Sequence, residues 1–73
     1  MNLNDLPLNT ECYIENLFAK DNLKRRMLDL GLIKGTKIKP VFISPSGDPT
    51  AYEVRGSLIA IRKNDAKLLK VTL

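Results

Sequence analysis

The sequence predicts a mainly β fold, a small, partly closed five-stranded barrel with one short helix after the first strand. Three observations predict it: five short runs rich in β-formers, a single stretch of helical period near the start, and turn-forming residues at nearly every break. Closure suits so small a β domain because it removes exposed sheet edges.

The first run, residues 10–15, alternates polar and apolar, which predicts a half-buried strand with Cys12 and Ile14 inward and Glu11 and Glu15 outward. A helix follows, with Asp21 placed to cap its start and Gly31 where a left-handed residue ends it. Leu23, Met27 and Leu30 form one stripe facing the core, leaving Lys24, Arg25 and Asp29 outside. Leu28 lies about 140° from Leu23 on the helical wheel, between Lys24 and Arg25. Either a neighbouring loop covers it, or it stands as an apolar anchor in a basic field.

From Gly35 onward every signal is β. Residues 36–43 read as a strand with Ile38 and Phe42 on one face, edge-placed, bent or bulged at Pro40, which cannot donate to a ladder. Residues 44–49 are dense in turn formers. Residues 50–55 form the next strand, with Tyr52 and Val54 on one face, and Gly56-Ser57 suits a tight hairpin into residues 58–62, with Ile59 and Ile61 inward. One helical turn at 63–66 precedes a last strand at 69–73. No repeat, linker or second domain interrupts residues 1–73.

Composition excludes several function classes. A chain of 73 residues is one domain that buries only about 60% of its unfolded surface, so a deep catalytic cleft is not expected. There is no histidine, which removes the usual general base and the commonest metal ligand. Cys12, the one cysteine, cannot form an internal disulfide and sits on an inward strand phase, so it reads as a packed core thiol. The glycines match neither a phosphate loop nor a dinucleotide fingerprint. The expectation is a binding protein, not an enzyme, with no cofactor and no tight metal site, although Glu11, Asp48 or Glu53 could hold a divalent ion loosely. No run reaches the ~20 apolar residues of a membrane span, and residues 1–5 lack a signal-peptide pattern. The reading is reduced, cytoplasmic and without membrane insertion.

The net charge of +4 is uneven. Residues 1–19 hold three acids and no base, whereas residues 20–39 hold seven bases against Asp21 and Asp29. Such a cluster suits an acidic protein surface, an anionic lipid or nucleic acid. Four aromatics, mostly on core phases, are too few for a single-strand binder, so only weak, salt-sensitive nucleic-acid binding is expected.

The run Leu23-Lys-Arg-Arg-Met-Leu-Asp-Leu-Gly-Leu-Ile-Lys-Gly-Thr36 resembles the signature of the ferrous iron transport protein A family, FeoA. Pro45, Gly47, Asp48 and Pro49 are similar to that family's P-x-G-D-P loop, and Val54-Arg-Gly56 with Leu58-Ile-Ala-Ile-Arg62 to its hairpin. Asp65-Ala66 and the closing residues 69–71 also fit. Each piece alone is unspecific, but together, at the right spacings, they cover residues 10–72. The chain departs from the pattern at Pro40, where an apolar β-former is usual, and at Phe42 and Ile43, where charges are common.

The resemblance implies an SH3-like barrel that serves as the small cytosolic partner of a membrane ferrous iron permease carrying a GTP-binding domain. It also implies a kinship with the C-terminal domains of metal-dependent repressors, and family descriptions mention transition-metal binding. The competing expectation is therefore a nucleic-acid-binding or metal-dependent regulator module. The partner is expected to dock on the outer helix face and the following turn: Lys24, Arg25, Leu28, Lys34 and Lys37. Arg55 and Arg62, at strand ends, are expected to solvate the barrel rim.

Overall fold

The computed structural model describes residues 1–73. A 3₁₀ turn at Leu3–Asp5 leads into β1 (Cys12–Leu17), α1 (Asp21–Asp29), β2 (Lys37–Ile43), β3 (Thr50–Val54), β4 (Ser57–Ile61), α2 (Lys63–Ala66) and β5 (Leu69–Thr72). The five strands make one antiparallel sheet in the order β4-β3-β2-β1-β5. No ladder joins β4 to β5, so the barrel stays open along that seam, where α2 makes the connection. The fold class and all five strands match the sequence expectation, and the differences lie inside the elements.

In β1, Cys12 and Ile14 are buried as their alternation predicts. A register shift between Ile14 and Asn16 carries the strand on to Leu17, beyond the expected end at residue 15. The shift changes the phase, and Leu17 comes to pair with Leu69.

The helix begins at Asp21 itself, whose φ of 55° is left-handed, and no side chain caps it. Asp21 is therefore not the N-cap that the sequence suggested. At the other end the N–H of Leu32 bonds the Met27 carbonyl (3.0 Å) and the N–H of Gly31 bonds that of Leu28 (3.0 Å). This is a Schellman motif, and it needs the φ of 88° that Gly31 adopts. The same turn settles which leucine is core. Leu32 swings under Met27 and is fully buried, while Leu30 is left 45% exposed. The expected stripe thus shrinks to Met27 with a half-buried Leu23.

Pro40 does produce a bulge: it pairs with Tyr52, and the register shifts before Phe42. The extra residue reverses the alternation, so Ile38 and Pro40 are buried while Phe42 is 51% exposed. Ile38 and Phe42 do not share a face. The β3–β4 turn falls one residue earlier than expected, at Arg55-Gly56, with φ of 54° and 82°. Two positive φ values in a two-residue loop match the twist of the strands it joins.

The 44–49 loop is anchored as well as turned. The Lys63 N–H donates to Asp48 Oδ1 at 2.8 Å, so a distant loop carboxylate caps the first turn of α2. The core gathers Cys12, Ile14, Ile38, Tyr52, Val54, Ile61, Leu69 and Val71 from all five strands, with Leu3, Ala19, Met27, Leu32 and Ala66 closing it.

Candidate partner-docking surface

The five residues expected to meet a partner are all exposed. Lys24, Arg25 and Leu28 project from α1, Lys34 lies in the turn after it, and Lys37 opens β2. Leu28 is 42% exposed, so no loop covers it. Leu30 and Ile33, at 45% and 44%, add two apolar side chains to the same short stretch. Neither was legible as surface: Leu30 belonged to the core stripe, and Ile33 carried no periodic signal.

The turn from Ile33 to Thr36 is held rigidly. Gly35 donates to the Ile14 carbonyl at 2.7 Å, and Ile14 returns its own N–H to the Thr36 carbonyl at 2.9 Å. Two backbone bonds thus fix the chain that carries Lys34 and Lys37 to the middle of β1. Lys37 is not a free charge, because its ammonium lies 3.6 Å from Glu11 Oε2.

Arg55 joins this surface from another element. Its side chain lies over Gly31, where a Cβ would stand 3.7 Å from the guanidinium Nε, and Nη2 donates to Thr36 Oγ1 at 3.4 Å. The tip of the β3–β4 hairpin is thereby laid against the end of α1. Its position in the sequence suggested only a rim residue. The contact depends on long-range folding, which local pattern does not report.

Beside Arg55 runs a polar groove of about 330 Å³ lined by Glu11, Thr36, Lys37, Lys39 and Glu53. Lys39 and Glu53 face each other across the ladder at 3.8 Å. Both ion pairs are open to solvent, although Lys39 is half-buried, and are worth only about 0–1 kcal/mol each. Charge balance in the groove leaves Arg55 without a carboxylate partner. The surface therefore sets the exposed Leu28 among cations, the anatomy of a protein-binding patch. A separate cleft of about 300 Å³ lies between Pro7, Pro40, Ile43, Tyr52 and Lys63. Burial raises the Tyr52 hydroxyl above its ordinary pKa there.

The residues present do not fit a transition-metal centre. No three of the chain's cysteine and carboxylate side chains converge. Cys12 is fully buried and its Sγ contacts the Ile38 carbonyl at 3.3 Å, and burial pushes the thiol up to about 11, which disfavours the thiolate that would ligate. Glu11 and Glu53 are engaged by lysines, and Asp48 accepts the Lys63 N–H. No helix is long and apolar enough to cross a membrane.

Comparison with known proteins agrees with this architecture. The FeoA domain model matches residues 1–73. A Campylobacter jejuni protein provisionally named Fe(2+) transport protein A is 33% identical over 73 residues, covering 100% of this chain and 99% of its own. The zinc-complexed crystal structure of Stenotrophomonas maltophilia FeoA, described as a prokaryotic SH3 domain protein, superposes with a TM-score of 0.86 at 33% identity, covering 97% of this chain and 88% of that one. A Porphyromonas gingivalis protein named as a fusion of Fe(2+) transport protein A with the Fe(2+) transporter FeoB is 26% identical over 73 residues, all of this chain but 9% of the fusion. The chain has the SH3-like fold and belongs to the FeoA family.

Proposed function

We propose that this chain is a small, non-catalytic accessory protein of bacterial ferrous iron uptake, acting in the cytoplasm on the GTP-binding part of a membrane Fe(II) permease. The observation that carries the reading is Leu28, exposed on the face of α1 that also holds Lys24 and Arg25, with Lys34 and Lys37 following. An apolar side chain set among long cations suits an acidic partner surface: the cations speed encounter, and the leucine slows release. The fusion in the Porphyromonas gingivalis relative supports the choice of partner, since its name joins protein A to FeoB in one polypeptide.

The test is binding to the cytosolic GTP-binding part of a membrane Fe(II) permease. Leu28→Ala is expected to weaken it about tenfold or more, chiefly through faster dissociation. The charge reversal Lys24→Glu/Arg25→Glu is expected to slow association and flatten its salt dependence. Unchanged affinity in both folded variants overturns the site.

A further inference from the structure

The two edges of the sheet are treated differently. On β5 the Val71 N–H donates to the Met1 carbonyl at 2.9 Å, and Asn2 forms a bridge with Lys70, so the first residues cover that edge. On β4, β3 is the only pairing strand, and the outer side is bare.

The hairpin determines which backbone groups are free. Val54 and Ser57 close a two-residue turn as a hydrogen-bonded pair, so Tyr52/Ile59 and Thr50/Ile61 are bonded pairs too. The pairs between them, Glu53/Leu58 and Ala51/Ala60, are not. Leu58 and Ala60 therefore turn their N–H and C=O groups outward. Both residues are exposed, and no turn or loop bond reaches either. Ser57–Ile61 contains no proline, charge or bulge, the devices that usually blunt an edge.

We propose that this edge receives an extended segment of a partner protein as a sixth strand, apolar in its middle and acidic at its ends. Charge identifies the occupant. Arg55 and Arg62 bracket the strand, and neither has a carboxylate within ion-pair distance. Arg26 is likewise unpaired and lines a shallow, mainly apolar dent with Leu23, Leu30, Ala60 and Asp65, where an apolar side chain from the middle of an added strand can rest. A second copy of this chain fits poorly, because the antiparallel register that faces Leu58 with Ala60 of its mate, and so uses both outward residues of each copy, sets Arg55 opposite Lys63. An acidic-ended strand neutralises the same positions. Backbone bonds supply the attraction and the dent selects the side chain. Arg55 also touches the end of α1, but Leu58, Ala60 and Arg62 belong to this edge alone, so variants at those three positions test it separately from the α1 face.

The probe is a short blocked peptide of alternating valine and threonine between Asp-Glu ends, with a Lys-Lys-ended peptide as control. In amide NMR titrations of the full chain, the largest shifts and new exchange protection are expected at Leu58 and Ala60. The basic peptide is expected to bind about tenfold or more weakly. Ala60→Pro deletes an outward N–H without touching the ladder to β3, and it is expected to keep the fold and weaken binding by about tenfold. Arg62→Glu changes only the exposed side chain of the residue that precedes α2, leaving its carbonyl to accept from Asp65 and Ala66, and is expected to weaken it less but measurably. Shifts centred elsewhere, equal binding of the two peptides, or a folded Ala60→Pro with full affinity overturns the proposal. If Ala60→Pro does not fold, unchanged affinity in Arg62→Glu overturns it. Self-association through β4, seen by sedimentation with protection at the same amides, replaces the acidic strand with a second copy and also overturns it.

Discussion

The barrel and the helix resting on it are built on different terms. Cys12, Ile14, Ile38, Val54, Leu69 and Val71 are each 3% exposed or less, and they come from strands that meet only in the folded chain. The nine residues of α1 bury a single side chain, Met27. A helix so short is not stable by itself. It is held at its C-terminal end, by the left-handed Gly31, by Leu32 beneath Met27 and by Arg55 lying across the turn. The barrel residues are thus chosen for packing, whereas most of α1 is free to be chosen for what it meets. The exposed Leu28 on α1 is therefore not a failed core position.

Substitutions in each region can break that division. The largest effect is expected in the barrel: Ile38→Ala leaves a cavity among fully buried neighbours and should cost about 2–5 kcal/mol by denaturant unfolding. A loss below about 1 kcal/mol means the barrel core is less tightly packed than its burial implies. Gly31→Ala is the sharper test of how the helix is held. A Cβ meets nothing closer than 3.7 Å, so its cost comes from the φ of 88°. About 1–2 kcal/mol is expected, with faster amide exchange at Gly31 and Leu32.

A third test uses pH. Cys12 has its folded pKa raised to about 11 by burial, above the ordinary thiol value of 9.0. The folded chain then keeps a proton that the unfolded chain releases, so this contribution is complete below pH 9.0 and is lost as pH rises through about 11. Thermal melts of the wild type and of Cys12→Ala should converge across that window. Alkylation of the native thiol at pH 8 should be far slower than in denaturant. The smallest expected effect is on α1: Leu28→Ala should change stability by no more than about 0.5 kcal/mol. A loss near that of Ile38→Ala would show that Leu28 belongs to the core after all.

The places where expectation and structure part share a cause. Leu30 fits a core stripe by period, yet the Schellman turn substitutes Leu32 for it. Phe42 alternates with Ile38, yet the bulge at Pro40 reverses the phase. Gly56-Ser57 looks like the hairpin tip, yet Arg55 takes a left-handed conformation and moves the turn back by one residue. The candidate surface behaves likewise. Lys24, Arg25, Leu28, Lys34 and Lys37 are exposed as expected, but Arg55 reaches the end of α1, and Leu30 and Ile33 are left exposed, only through the fold.

By itself the sequence determined what depends on residue type and short-range spacing. That covers the number and order of the elements, the inward phase of Cys12 and Ile14, the left-handed stop at Gly31, the bulge at Pro40 and the basic bias of residues 20–39. Which apolar side chains remain outside, which cations find a carboxylate and which sheet edge is covered were settled by long-range packing. Those outcomes turn on contacts between residues far apart in the chain, such as Arg55 with Gly31, Asp48 with Lys63 and Met1 with Val71. Local periodicity sets the face a side chain prefers, but a neighbour's arrival sets whether that face is covered.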